Sequence, residues 1–244
     1  MSVALRTKTL LVPDIDWVTI PAGEFIYGEE SEQTTHYLES FDIARYPVTN
    51  AQYQCFIDDG GYEDEGWWQE LEKSEIENSK WLQGNRPRTN VNWYEATAFT
   101  RWLSDRLNQT IRLPNELEWE KAARGEKGLK YPWGNEYEAG YANVQESRPE
   151  YGANIVQTVA VGLYPRDESS WGLRDMAGNV VEWCTEITTN VNESSQDSRL
   201  SFALRGGAWT FKPGLVRAAF RLADYDTVNR DYDIGFRLLR SSPS

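Results

Sequence analysis

The sequence predicts an α+β fold in which the helices lie in the first half of the chain and structured loops fill the second half. Two segments between residues 92 and 125 have apolar residues at helical spacing and capping residues at their ends. From 126 to 233, Gly, Pro, Asn, Asp and Tyr dominate, and only brief strand-like pieces occur, such as TVAVGLY and VVEWCTE. Because aromatic residues are abundant, we expect packed functional loops there and not disorder.

Extended segments precede the helices. In DWVTIPAGEFIYG (16–28), apolar residues alternate on both sides of Pro21-Ala22-Gly23, which predicts two strands joined by a turn. FDIARYPVTN (41–50) is another extended piece, and Thr49 or Asn50 can cap a short helix that runs to about Asp58. Residues 62–90 are acidic and irregular, with Trp67, Trp68 and Trp81 as expected anchors.

The two clearest helices both begin with a capping box. Asn92 caps NWYEATAFTRWLSDRLN with Glu95 three residues later, and Asn115 caps the next helix with Glu118 in the same relation. Gly125 is placed to end the second of these helices. The final IGFRLLR alternates and predicts one closing strand.

Length and charge restrict the possible functions. The 244 residues suit one domain, assigned to 16–244 after an N-terminal extension at 1–15. The net charge of −13 argues against a nucleic-acid surface, which needs clustered Lys and Arg. No apolar run of about 20 residues is present to span a membrane. The presence of only two cysteines and the absence of a signal-peptide pattern favour the cytoplasm. No pattern such as a heptad repeat indicates assembly, so we expect a monomer.

Familiar catalytic and metal-binding patterns are missing from the sequence. His36 is the single histidine, so a histidine-based zinc or iron cluster cannot form. Cys55 and Cys184 do not form a CxxC pair, and both are expected to be small buried residues. The sequence has no GxSxG motif and no phosphate-binding loop.

The segment WGLRDMAGNVVEWC (171–184) carries the strongest signal for a metal site. Asp175, Gly178, Asn179 and Glu182 fall within eight residues. Carboxylate and carbonyl oxygens are the ligands that calcium prefers. The alternative is a turn that uses Asp, Gly and Asn for backbone reasons. Spacing alone leaves both interpretations open.

Seven segments together resemble the formylglycine-generating-enzyme (sulfatase-modifying factor) family over about residues 16 to 240. They occur in the family's order: WVTIPAGEF, RYPVTNAQY, RLPNELEWEKAARG, YPWGNE, WGLRDMAGNVVEW, RGGAW and IGFR. The resemblance implies a variant of the C-type lectin fold, with few helices, a small twisted sheet and long structured loops. It also implies a structural calcium held by Asp175, the carbonyls of Gly178 and Val180, and Glu182. A second calcium site would begin at Asn143 and Val144, but its acid falls near Ala153.

The resemblance also allows the family's known chemistry to be compared with these residues. Its oxidases hold copper with two cysteines shortly after the RGG-aromatic motif, whereas Thr210 to Val216 follow that motif here and no cysteine occurs after Cys184. The related sulfur-transfer enzymes of histidine-betaine synthesis hold iron with three ligands on an added bundle domain, and a single histidine does not match such a site. We therefore expect a protein that is not an enzyme.

The stretch from Leu204 to Arg237 resembles the diversified region of variable proteins from diversity-generating retroelements, some of which share this lectin-type fold. In these systems a reverse transcriptase copies a template with errors at adenines, and the variable residues precede a terminal IGFR-like strand. The resemblance assigns a fixed scaffold to Arg205, Gly206, Gly207, Trp209, Pro213, Arg217, Ala219, Arg221, Arg230, Gly235 and Phe236. It assigns ligand binding to Thr210, Phe211, Lys212, Gly214, Leu215, Phe220, Leu222, Ala223, Asp224, Tyr225 and Tyr232.

These observations predict a ligand-binding protein whose partner is a protein or another macromolecule, with calcium as a structural cofactor. One alternative is a fixed interaction or sensor domain of the same family. The other is an oxidoreductase of that family or an enzyme with an unrecognised site, for which Lys212, Asp224 and Asp226 are the candidate polar residues near the missing cysteines.

Overall fold

A computed structural model describes residues 11–146, 155–185, 202–223 and 225–241. Asp224, assigned to the ligand set, and Ala153, at the second calcium position, lie outside these residues. The described helices are α1 (Asn50–Asp58), α2 (Trp93–Leu107) and α3 (Glu116–Arg124). The described strands are β1 (Trp17–Ile20), β2 (Gly23–Tyr27), β3 (Thr34–Leu38), β4 (Phe41–Ala44), β5 (Ile111–Arg112), β6 (Val181–Trp183), β7 (Leu204–Arg205), β8 (Arg221–Leu222), β9 (Ile234–Phe236) and β10 (Leu239–Ser241).

All three helices in the described part of the chain begin with a capping box. Thr49, Asn92 and Asn115 each accept a hydrogen bond from the backbone N–H three residues later, and the side chain at that later position accepts one from the cap's own N–H. This exchange satisfies two backbone donors that no helical carbonyl can reach. The predicted helix starts are therefore confirmed, including that of the short helix α1.

The strands form three small sheets. The first has the order β1-β4-β10-β5, the second pairs β2 with β3, and the third has the order β8-β7-β6-β9. In the third sheet β9 runs parallel to β6, while β7 is antiparallel to both β6 and β8. This sheet carries both ends of the irregular stretch, because β7 precedes it and β9 ends it.

Two strand predictions were wrong in their pairing. The segments at 17–20 and 23–27 are strands, but β1 pairs with β4 while β2 pairs with β3. The predicted single closing strand is two strands in different sheets, β9 beside β6 and β10 beside β4 and β5. TVAVGLY forms no strand. Sheet partners are fixed by contacts distant in sequence, and local alternation of apolar residues does not report them.

Aromatic side chains form the centre of the larger core cluster. Phe99 of α2 lies 5.3 Å from the stacked ring of Tyr53 on α1 and 5.5 Å from Phe236 on β9, between ring centroids. Trp183 of β6 is fully buried and donates from its indole to the Val91 carbonyl. Trp68 is also buried, as expected of an anchor for the irregular segment 62–90. The core thus fixes β6 and β9, which support the irregular stretch.

Candidate functional site

The double glycine after β7 fixes where the irregular stretch begins. Gly206 and Gly207 have φ of 93° and 71°, which is the left-handed region that favours glycine. A Cβ on Gly207 would lie 2.5 Å from Val216 Cγ1 and 2.8 Å from the Leu215 carbonyl oxygen. The chain therefore makes a tight turn directly under the following loop.

The other end of the stretch is fixed by β9 and by the arginine that follows it. Arg237 donates from Nε and Nη2 to the two carboxylate oxygens of Glu182, each at 2.6 Å. Its guanidinium also donates to the carbonyls of Ala44 and Asp175. The end of the irregular stretch is therefore joined to β6 and to the turn before it.

Between these fixed ends, the residues predicted to bind ligand reach the surface. None of the ten described members falls in the buried class, and Leu215 and Tyr232 are 42% and 39% exposed. Six scaffold positions are buried, namely Arg205, Gly206, Gly207, Trp209, Gly235 and Phe236, and four are half-buried, namely Pro213, Arg217, Ala219 and Arg230. Arg221 is an exposed exception, but it pairs with the buried Glu116 at 2.6 Å. The half-buried members are Thr210, Phe211, Phe220, Leu222 and Tyr225, and the exposed members are Lys212, Gly214, Leu215, Ala223 and Tyr232.

Three members of this set also contact the core. Leu222 belongs to β8, opposite Leu204 of β7. The ring of Tyr225 lies 5.7 Å from that of Trp183, between centroids. Phe211 packs against the core. The centroid of its ring lies 6.3 Å from that of the Phe220 ring. Substitutions at these three positions would therefore change packing as well as the surface.

One part of the face combines aromatic rings with acidic groups. Thr210 donates from its hydroxyl to the Asp233 carboxylate. Burial raises the pKa of Asp233, and burial together with Asp231 and Asp233 raises the pKa of Tyr225. Tyr232 lies between Asp231 and Asp233 in the sequence, and the centroid of its ring is 5.6 Å from that of the Trp209 ring. This arrangement places the carboxyl groups of Asp231 and Asp233 near aromatic rings of the face.

The predicted calcium ligands are engaged with other partners. Both Glu182 carboxylate oxygens accept from Arg237, and Oε2 also accepts from the Trp119 indole at 2.7 Å. Asp175 Oδ2 accepts from the Gly162 N–H at 2.6 Å, and the Gly178 carbonyl accepts from the Val180 N–H. These oxygens therefore already accept hydrogen bonds from donors of the protein itself. Among the described residues, no group of three His, Cys, Asp or Glu side chains is placed to hold a metal ion. Calcium at this turn stays a prediction.

Asp167 is a buried carboxyl that the sequence did not single out. Its Oδ2 accepts from the Ala177 N–H at 3.2 Å, while Oδ1 has no hydrogen-bond partner in the described part of the chain. Burial and the nearby Asp175 raise the pKa of Asp167 well above its usual range. No sequence pattern marks this residue, because its neighbour Asp175 comes from a separate turn.

The remaining candidates form no described cluster. Asn143, from the predicted second calcium site, donates from its side-chain amide to the Gln157 carbonyl at 3.0 Å and to Asn179 Oδ1 at 3.2 Å. Lys212 precedes a single helical turn at 213–215, and Asp226 accepts from the Val228 N–H within its own turn. The described residues thus show no convergence of Lys212 and Asp226 on one pocket.

The sequence of this chain matches a known family along almost its whole length. A family model described as the sulfatase-modifying factor enzyme 1-like domain matches residues 6–242. This chain belongs to that family. The solved structure of Treponema denticola variable protein 1 superimposes with a TM-score of 0.73 at 24% identity, covering 97% of this chain and 98% of that one. The predicted family and its C-type-lectin-like fold are therefore confirmed.

Curated relatives of this sulfatase-modifying-factor domain include enzymes. Hercynine oxygenase of Mycolicibacterium smegmatis is 30% identical, over 91% of this chain and 60% of the relative. Its counterpart from Mycobacterium tuberculosis is 31% identical, over 80% of this chain and 52% of the relative. The chain thus spans between about half and three fifths of their length. The expectation that this chain is not an enzyme is contradicted by these relatives, which are named as enzymes.

The sequence contains no apolar run of about 20 residues, and the helices of the structure test this prediction. Within the part of the chain that the structure describes, no helix is long and apolar enough to cross a bilayer. The longest described helix, α2, has 15 residues, and its charged residues include Glu95, Arg101 and Asp105.

Proposed function

We propose that this sulfatase-modifying-factor domain binds a macromolecular ligand through the face formed by residues 210–232, and that this face is diversified between copies of the gene. The observation that carries the proposal is the contrast in burial along one short stretch. All ten described residues of the predicted ligand set have accessible surface, while the glycines and strand residues at both ends are buried.

Fixed ends allow the surface between them to vary without unfolding the domain. Gly207 and Val216 hold the first loop against the core, and Arg237 holds the last strand through Glu182. Side chains such as Lys212, Leu215 and Ala223, by contrast, project from exposed positions. Binding residues commonly occupy loops that a rigid scaffold positions.

The composition of the face is suited to binding. Tyr232 and Phe220 offer large rings with few rotatable bonds, so little conformational entropy is lost when they contact a partner. Aromatic residues are enriched among the residues that contribute most to protein interfaces.

Sequencing the DNA that flanks the gene tests the diversification. We expect a near-copy of the codons for 204–237 that differs only where the copy has adenine. The substituted codons should encode residues of the predicted ligand set, including Tyr232. The codons for Gly206 and Gly207 should be unchanged. If no such copy exists in the genome, diversification is rejected and a fixed binding or sensor domain of the same family replaces it.

A second candidate function is an oxygenase activity, favoured by the identity to hercynine oxygenases over most of this chain. The test is hercynine-dependent oxygen consumption by the purified chain in the presence of ferrous iron and a thiol as sulfur donor, with an iron-free sample as the control. Consumption that requires both hercynine and iron would establish this activity. Its absence would remove the candidate for the chain as given.

A cytoplasmic, monomeric state is proposed together with the binding function. Both cysteines are free thiols, Cys184 buried and Cys55 half-buried, which suits a reducing compartment. Light scattering coupled to size-exclusion chromatography tests the monomer, and a dimer mass would reject it.

A further inference from the structure

Three aromatic rings from separate parts of the chain meet beside the proposed binding face. The centroids of Trp81 and Trp209 lie 5.7 Å apart, those of Trp209 and Tyr232 5.6 Å apart, and those of Trp81 and Tyr232 6.4 Å apart. Trp209 and Tyr232 belong to the irregular stretch, whereas Trp81 comes from the acidic segment before α2. We call these three residues the aromatic cluster.

An ammonium group of the chain itself already rests on the aromatic cluster. Lys80 Nζ lies 4.9 Å from the centroid of the Tyr232 ring and 5.1 Å from that of Trp81. Both distances fall within the range of about 6 Å in which a cation is attracted to a ring face. The cluster is therefore of the right size and polarity to hold an alkylammonium group.

The cluster is open to solvent on the side of Lys80. Tyr232 is 39% exposed and Lys80 is exposed, whereas Trp209, at 9% exposure, forms the floor. The Trp209 indole N–H is buried and has no hydrogen-bond partner among the described residues. A buried donor without a partner costs free energy that a core residue ordinarily avoids. The indole N–H is a donor, so it calls for a hydrogen-bond acceptor, which the backbone carbonyl of a polypeptide partner can provide.

Charge around the cluster also favours a basic partner. Asp231 and Asp233 flank Tyr232 in the chain. The whole chain carries a net charge of −13. A surface of this sign attracts cationic partners over several ångströms and raises their association rate.

We propose that the aromatic cluster binds a lysine side chain of a basic polypeptide, and that Lys80 occupies the same position when no partner is bound. The inference rests on the proposed function in that Tyr232 belongs to the binding face. The inference adds to the proposed function the chemistry of the partner group that contacts Tyr232, which is an alkylammonium. Lys80 and Trp81 lie outside 204–237 and stay constant if the face is diversified, whereas Tyr232 lies inside the diversified stretch and varies with it.

The test is calorimetric titration, at low ionic strength, of the full chain with a short peptide that alternates lysine and glycine. A second peptide has norleucine in place of lysine, which keeps the alkyl stem and removes the charge. We expect the lysine peptide to bind and the norleucine peptide to fail. Lys80→Met should tighten binding about two- to fivefold, because the competing internal ammonium is lost.

Matched variants separate the cluster from general electrostatics and from misfolding. Lys127→Met removes the same charge from an exposed position outside the cluster and should change the affinity less than Lys80→Met does. Tyr232→Phe keeps the ring and should retain binding, whereas Tyr232→Ala should weaken it at least about threefold. Tyr37→Ala, at an exposed ring on β3, should have no effect.

Two outcomes would overturn the inference. One is equal affinity for the lysine and norleucine peptides. The other is an equal change in affinity for the lysine peptide in Lys80→Met and Lys127→Met, because net charge alone would then explain the effect. Neither outcome affects the search for a template copy beside the gene, so failure of this site and failure of the diversified face are distinguishable.

Discussion

Arg237 and Glu182 form a bidentate ion pair in which both side chains are 0% exposed. The pair joins the residue after β9 to the middle of β6, and Trp119 donates to the same carboxylate. It therefore connects the closing end of the proposed binding face to the centre of the third sheet. A buried charge is tolerated only when its partner is present.

Removing the charge of Glu182 should destabilise the domain strongly. Glu182→Gln keeps the side-chain volume but leaves the Arg237 guanidinium buried without a counter-charge, at a cost of about 3–5 kcal/mol in the free energy of unfolding. Urea denaturation measures this loss. Lys73→Gln breaks the solvent-exposed pair with Glu65 and should cost about 0–1 kcal/mol. Equal losses in the two variants would show that the buried pair has no special role.

Calcium removal tests the metal predicted from the resemblance. Since Glu182 and Asp175 are hydrogen-bonded to Arg237, Trp119 and Gly162, we expect EGTA to leave the melting temperature unchanged. Differential scanning calorimetry with and without EGTA provides the measurement. A fall in melting temperature that calcium reverses and magnesium does not would show that these side chains rearrange around an ion.

The pH dependence of stability should carry a contribution from Asp175. Burial raises its pKa from 3.8 to about 6, so the folded protein keeps a proton that the unfolded chain loses near pH 4. The stabilisation is complete below about pH 4 and is lost as the pH rises through 6, a change of about 3 kcal/mol for this group.

Asp175→Asn should remove this contribution, because an amide does not ionise and asparagine tolerates the φ of 52° found there. Its side-chain oxygen can still accept from the Gly162 N–H. We expect the variant to gain stability relative to the natural protein as the pH rises from 4 to 7 in urea titrations. Parallel pH profiles for the two proteins would contradict the raised pKa.

The turn that begins the binding face should not accept a side chain at Gly207. Gly207→Ala places a Cβ 2.5 Å from Val216 Cγ1 at a φ of 71°, so it should cost about 1–3 kcal/mol and displace the loop. Gly214→Ala is the matched control, since the nearest atom to its Cβ is Arg217 Nη1 at 3.8 Å. Thermal melts of both variants provide the comparison. A Gly207→Ala protein as stable as Gly214→Ala would show that the turn is relaxed.

Features that depend on neighbouring residues were predictable from the sequence. The capping boxes of Thr49, Asn92 and Asn115 involve atoms three residues apart, so the pattern of residues contains the interaction. The ordered segments from WVTIPAGEF to IGFR likewise identified the family, and with it the fold. The inference from missing cysteines and a single histidine to a protein that is not an enzyme was wrong, because curated relatives that match most of this chain are named hercynine oxygenase.

Features that depend on distant residues were decided by the tertiary structure. Alternation within 17–27 specifies strands but not that β1 pairs with β4, and IGFRLLR does not show that it divides between two sheets at Arg237. The hydrogen bonds from Arg237 to Glu182 join positions that are 55 residues apart in the sequence. The contacts of Trp81 with Trp209 and Tyr232 join positions that are more than 120 residues apart. The sequence by itself determined the family, the helix starts and the ends of the exposed stretch, since these are local patterns. Packing between remote segments alone decided which carboxylates are paired and which aromatic rings meet.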